Sequence, residues 1–270
     1  MRRSQLLLMV WGVMLMGCAG EELDAPQPGE IPDTAQAPHE TAPAFVDPDV
    51  ARLYARMMDA IAPNGGWERA RYLEFDRGGA GDAPPRRHRW DRWEGNARWE
   101  AVSDAGTVVA LFNANDPQSG RVWLEGEELA GDERERLLTS AYRSHINDGY
   151  WLLMPFKWGD PGVSSRYLGQ REALGRSWDV VELAFDEGVG LTPRNMYHAF
   201  LSQETGRMEY WHHFSNPDAD PSPSEWTDWR QVGPLVLAEN RRVDGEIRSR
   251  FPHLRVETEV PEGVFDPPGG

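Results

Sequence analysis

The residues that could carry chemistry are scattered. His212 and His213 are adjacent. Neighbours on a strand point to opposite faces, so the pair is badly placed to chelate one ion and reads as structural. His198 shares strand parity with Met196 and Phe200, and the sequence shows no partner that would make it a general base. Asn216 to Ser224 (NPDADPSPS) spaces Asp218 and Asp220 in a pattern unlike a calcium loop, and reads as a solvated loop. Arg86-Arg-His-Arg89 is a short basic cluster, either a solvated strand start or a contact for anionic headgroups. No HExxH, GxSxG, phosphate-binding loop or dinucleotide fingerprint occurs. The residues therefore point to no catalytic group, metal or cofactor, and a hydrolase assembled only in three dimensions is the weakest reading.

Cys18 is the only cysteine, which removes thiol catalysis and cysteine metal cages from consideration. It lies just beyond Arg2, Arg3 and an apolar run from Leu6 to Met16, a run too short to span a bilayer comfortably. Leu15-Met-Gly-Cys18 resembles the bacterial lipobox, in which the cysteine is lipidated, carries palmitate and becomes the first mature residue. An ordinary secretory leader or a short anchor helix is the alternative. Ala19 follows the cysteine where an aspartate commonly signals inner-membrane retention, so the expectation is an outer-membrane lipoprotein facing the periplasm. This gives a leader at 1–17, a lipidated cysteine with an acidic, proline-rich tether at 18–46, one folded domain at 47–260 and a fraying tail at 261–270. The formal net charge of −16 and the lack of a basic stripe exclude nucleic acid as the natural partner.

Any functional group must then be positioned by the domain. Residues 47–62 predict a helix, capped by Asp47 or Asp49 and stopped by Pro63-Asn-Gly-Gly66, with Val50, Leu53, Tyr54, Met57, Met58 and Ile61 along one face. Strands are predicted at 67–76, 87–94, 97–103, 107–113 and 120–125, a helix over 132–147, and further strands at 165–172, 177–185, 195–202, 207–214, 225–231, 234–242 and 253–259. The short gaps demand hairpins, so the class is α+β: a long antiparallel meander with one helix before it and one inserted. Several strands, such as Val108 to Phe112, are apolar on both faces, so both faces of the sheet need cover.

The stretch Tyr150 to Val163, YWLLMPFKWGDPGV, follows the inserted helix. With the lipobox-like leader, the Gly-Gly helix stop, the hairpins, Gly190-Leu-Thr-Pro193 and Gln203-Glu-Thr-Gly206, it resembles the periplasmic lipoprotein-carrier group of LolA, LolB and LppX over about residues 47–260. That resemblance implies a curved antiparallel half-barrel sheet with helices covering the concave face, where carriers of this fold hold acyl chains. The matching features are turns and wall segments, so they bear on fold more than on activity.

Strand position then nominates Trp90, Trp99, Trp123, Trp151, Met154, Phe156, Phe200 and Trp211 as lining residues. The same side chains would serve equally as plain core. Their indoles favour a cavity, because each carries an N–H that a dry core must satisfy. The leading expectation is a non-catalytic lipoprotein that binds or carries a lipid or another apolar molecule. The alternative is a lipid-anchored envelope interaction or assembly protein with a filled core.

Overall fold

The computed structural model describes residues 45–269. The expected leader, Cys18 and nearly all of the tether lie outside the described residues. Phe45, at the tether's end, packs its ring 4.9 Å from Tyr54.

The first helix, α1 (Pro48–Ile61), is capped by Asp47, whose carboxylate accepts the Asp49 N–H at 2.9 Å. The other oxygen of Asp47 accepts the Tyr167 N–H at 2.9 Å, so one side chain caps the helix and fastens it to the sheet. Val50, Leu53, Tyr54, Met57 and Ile61 are buried, at the spacing of one helical face. A short helix, α2 (Gly66–Arg69), follows where a strand is predicted from residue 67. Trp67 accounts for the difference: it stacks on Phe156 at 4.5 Å, and the Arg92 guanidinium sits 3.6 Å from its ring centre. Gly66 allows the close approach, since a Cβ there would lie 2.2 Å from the Pro234 carbonyl oxygen.

Six strands come next: β1 (Tyr72–Gly79), β2 (Arg86–Asp91), β3 (Asn96–Ser103), β4 (Gly106–Asn113), β5 (Asp116–Leu124) and β6 (Glu127–Glu128). The helix α3 (Gly131–Leu153) and a 3-10 turn over Met154–Phe156 separate them from the second run. That run is β7 (Val163–Ala173), β8 (Arg176–Phe185), β9 (Met196–Ser202), β10 (Met208–Phe214), β11 (Ser222–Val232), β12 (Leu235–Val243), β13 (Glu246–Arg250) and β14 (Leu254–Glu257). Together they make one unclosed, curved, antiparallel sheet ordered β6-β5-β4-β3-β2-β1-β13-β12-β11-β10-β9-β8-β7, with β14 also paired to β1. The α+β half-barrel architecture expected from the sequence is the one observed.

Almost every pairing is a hairpin between sequence neighbours. The exception is the seam at β1, where Gly78 and Gly79 pair with Arg250 and Ser249 of β13, while Tyr72 to Phe75 pair with β14. The first run thus starts at β1 and ends at the β6 edge, and the second starts at the opposite β7 edge and comes back to β1. The helix α3 carries the chain from one edge to the other, and at about 1.5 Å per residue its 23 residues reach about 35 Å. It continues to Leu153, past the predicted end at 147, because Leu152 and Leu153 are drawn into the main core. The strand β13 was not predicted, since Glu-Ile-Arg-Ser-Arg lacks apolar alternation. The C-terminal segment, expected to fray, is held at Asp266, whose carbonyl accepts from Arg98 at 2.6 Å.

Candidate functional site: the concave face and its buried charges

Cross-strand register sorts the side chains by face. Phe75, His88, Trp99, Ala110 and Val122 form one row across β1 to β5. Val181, Ala199, Trp211 and Ser224 form another across β8 to β11. The helices and the 3-10 turn lie over this side, and α1, the end of α3 and the inward residues of β8 to β12 share one core cluster. Of the nominated lining residues, Trp90, Trp99, Trp151, Met154, Phe156 and Trp211 belong here.

Two nominated residues do not. Phe200 pairs with Val180 and Tyr210 and belongs to a separate outer cluster with Trp178. Trp123 pairs with Val109, on the side opposite Ala110 and Trp99, and lies under the Arg121 guanidinium at 4.7 Å. In both cases strand parity decides: strands apolar on both faces give no sign in sequence of which set turns inward.

The YWLLMPFKW stretch is the hub of the inner side. Tyr150 lies 5.5 Å from Tyr197 and 6.0 Å from Phe185, and Trp151 lies 4.7 Å from Trp211, which in turn meets Trp226 at 5.2 Å. The Trp158 N–H points to the Met154 sulfur at 3.4 Å, and Tyr54 donates to the Phe156 carbonyl at 3.3 Å. Four indole N–H groups on this face, of Trp90, Trp99, Trp211 and Trp226, are buried without a hydrogen-bond partner among the described residues.

Two groups of ionisable side chains lie wholly or partly buried among these rings. In the first, Asp148 of α3 accepts a two-pronged bond from Arg86, Nε to Oδ2 at 2.7 Å and Nη2 to Oδ1 at 2.8 Å. His88 Nε2 lies 3.1 Å from Asp148 Oδ2, and His88 Nδ1 lies 3.4 Å from His145 Nδ1. With Nε2–H of His88 donating to the carboxylate, its Nδ1 is left to accept from His145 Nδ1–H, so two neutral rings form a chain ending on one anion. Phe75 stacks on His88 at 4.4 Å, while Trp90 and Phe112 meet His145 edge-on at 5.4 and 5.6 Å. Burial pushes His145 down to about 3, helped by His88 beside it. Burial also lowers His88, outweighing the pull of Asp148. Burial alone would raise Asp148, but its bonds to His88 and Arg86 prevail and lower it.

The second group is Arg77 and Arg241. Arg241 is 1% exposed and lies 3.4 Å from the Trp226 ring centre and 5.1 Å from that of Phe251. It donates to the carbonyls of Ala238, Asn240 and Trp151. Arg77 lies over the other neighbours, 5.6 Å from Phe251 and 5.7 Å from Trp151, and donates to the Gly78 carbonyl at 2.7 Å. The Nε of each arginine is buried and unpartnered, as are the hydroxyls of Ser249, cross-strand from Arg241, and Ser224, cross-strand from Trp211. Burial lowers both guanidiniums, and Arg77 depresses Arg241 further.

Sequence reasoning missed both groups. The visible signals were the parity of Arg86 and His88 within Arg86-Arg-His-Arg89, and the helical spacing of His145 and Asp148. Among the described residues, no set of three His, Cys, Asp and Glu side chains is arranged to hold a metal ion. The expected divergence of His212 and His213 is present. His212 bonds the Tyr210 hydroxyl at 3.0 Å and packs on Phe200 on the outer side, while His213 is buried against Tyr197. His198 has the partner that sequence did not reveal, Glu182 at 3.5 Å on the neighbouring strand.

The chain matches no protein-family model and no curated protein. Solved structures similar to it include a DUF1329 family protein from Desulfovibrio piger, with TM-score 0.44 and 10% identity over 83% of this chain and 98% of that one. A LolA superfamily protein from Nitrosomonas europaea gives TM-score 0.43 and 9% identity over 80% of this chain and 96% of that one. The lipoprotein LppX from Mycobacterium tuberculosis gives 0.27 and 12% over 62% and 88%. At such TM-scores these structures carry nothing across about ligand or site, and the architecture stands on its own strand order.

Proposed function

We propose that this protein is a non-catalytic lipoprotein of the cell envelope, anchored to the outer membrane through Cys18, that binds or carries a lipid on the concave face of its sheet. The observation that carries the reading is the set of four buried indole N–H groups, of Trp90, Trp99, Trp211 and Trp226, unpaired on that one face. A dry core that buries donors without acceptors loses their hydration with no return, typically about 1–3 kcal/mol for each group. An amphiphile supplies acceptors from its ester or head oxygens and apolar surface from its chain, worth about 0.8 kcal/mol per buried methylene before ordering costs. The proposed lining is Trp90, Trp99, Trp151, Met154, Phe156 and Trp211.

The test is organic extraction and denaturing mass spectrometry of the full chain purified from its membrane fraction. A stoichiometric lipid beyond the anchor is the expected result. Lipid-free protein whose tryptophan emission ignores added long-chain lipid would sink the proposal and favour an assembly protein with a filled core.

A further inference from the structure

The inner face is apolar but its charge is not balanced. Around Trp151 and Phe251 and the neighbouring closed group, Arg77, Arg86 and Arg241 bring three guanidiniums near one described carboxylate, Asp148, while burial keeps His88 and His145 neutral. Asp148 is already committed, taken on both oxygens by Arg86 and on one by His88. Arg77 and Arg241 share the Phe251 ring, Arg77 also lies over the Trp151 ring while Arg241 bonds the Trp151 carbonyl, and neither makes an ion pair among the described residues. Their contacts are carbonyls and ring faces, which satisfy some N–H groups but neutralise nothing. Around them sit the free Nε atoms of both arginines, the unpaired hydroxyls of Ser224 and Ser249, and the indole N–H groups of Trp211 and Trp226. All are donors or can donate, and every ring beside them leads into the main apolar cluster.

Burying a guanidinium without a counter-ion is costly, and removing two from water side by side is costlier. Among the described residues the one acid within electrostatic reach of Arg77 is Asp148, already bonded to Arg86 and His88, and none acts on Arg241. We propose that Arg77 and Arg241, with Ser224 and Ser249, form the head-group subsite for an anionic amphiphile, a carboxylate or phosphate ester with a long acyl or alkyl tail. The proposal rests on the lipid-binding reading above and specifies its ligand. The anion lies between the two guanidiniums and takes hydrogen bonds from the free Nε–H groups and the hydroxyls. Its tail runs along Trp151, Trp211 and Trp226. Arg77 is half-buried and Arg241 almost wholly buried, so Arg77 is the member of the pair nearer to solvent.

The experiment titrates the delipidated full chain with hexadecanoate, hexadecyl phosphate, hexadecanol and inorganic phosphate, following tryptophan emission. The two anionic amphiphiles are expected to bind at least about tenfold tighter than hexadecanol, and inorganic phosphate far more weakly than either. In Arg77→Gln and in Arg241→Gln the tenfold preference should collapse while hexadecanol binding is retained. Circular dichroism checks that each variant is folded, and the half-buried Arg77 supplies the arm less exposed to misfolding. Equal binding of all three long-chain compounds overturns the head-group inference and leaves lipid binding standing. Inorganic phosphate binding as tightly as hexadecyl phosphate would show a site for a small free anion and overturn it too. No binding of any long-chain compound overturns both readings.

Discussion

The two buried charge groups on the concave face differ in one respect that separates architecture from function. Arg86, His88, His145 and Asp148 join β2 to the strap helix α3, and the carboxylate at their centre is bonded from two sides. Arg77 and Arg241 lie in the same interior, on β1 and β12, and bond only carbonyls and rings among the described residues, with Asp148 acting on Arg77 from a distance. The first group is closed on itself and pins a helix to a sheet. The second is open, and its stability is completed from outside. A buried charge therefore says little until its partners are counted.

The comparison breaks most visibly at Asp148. Asp148→Ala leaves Arg86 and His88 facing a hole and removes the charged link from α3 to β2, and should cost about 3–5 kcal/mol, read as a fall in the urea midpoint. A loss below about 1 kcal/mol would mean that the closed group is as dispensable as a surface pair.

Acid should act on the closed group and spare the open one. His145 has a folded value of about 3 against an ordinary 6.5, so between those pH values the unfolded chain takes up a proton that the native chain refuses. The stability held by the neutral ring is complete above 6.5 and is lost as pH falls towards 3. His88 is lowered as well and adds to the same trend. The lowered Asp148 extends it, its share being complete above 3.8 and lost below. For His145 alone the slope is about 1.4 kcal/mol per pH unit. Urea unfolding at pH 7, 6, 5 and 4 measures it, and His145→Phe, whose ring suits the box made by Trp90 and Phe112, should flatten it. An unchanged slope in that variant would take His145 out of the account.

Arg241→Met asks the converse question. Removing an unneutralised buried cation and filling its place with an apolar chain should change the stability of the ligand-free protein by no more than about 1 kcal/mol, despite the lost bonds to Ala238, Asn240 and Trp151. A loss as large as that of Asp148→Ala would show that Arg241 is a structural strut, and the contrast between the groups would disappear.

Much of this fold was legible because hairpins are local. Turn residues such as Asp104-Ala-Gly106 and Glu94-Gly-Asn96 mark where a strand reverses, and period-two alternation fixes what lies between. What escaped was non-local or two-sided. Glu246 to Arg250 makes a strand by folding back on β12 across the Asp244-Gly245 turn and meeting Gly78 and Gly79 at the seam; the turn was a local signal, but the segment lacks apolar alternation and the seam pairing is non-local. Trp123 and Phe200 were placed inside because their strands are apolar on both faces, so only the register settled their direction. The charge groups escaped for the plainest reason. His88 and His145 meet across 57 residues of chain, and the predicted helix stops at Asn147, one residue short of Asp148, whereas α3 runs on to Leu153.

The smallest expected effect lies on the outer face, where a third set of charges completes the comparison. Glu182 meets Arg166 at 2.8 Å and His198 at 3.5 Å, with the Arg166 side chain 67% exposed. These residues resemble the closed group in kind, an arginine and a histidine sharing one carboxylate, and differ mainly in access to water. Water already solvates Glu182 and Arg166 before they meet, so the pair gains little, and Glu182→Gln should cost no more than about 0.2–1 kcal/mol, shrinking further in added salt. Parallel urea titrations of Glu182→Gln and Asp148→Ala at low and high salt measure the gap directly. Equal costs would mean that burial is not what makes the inner carboxylate matter; a several-fold gap that persists in salt would place the difference in the water excluded from the concave face, the same exclusion that leaves Arg77 and Arg241 in need of an anion.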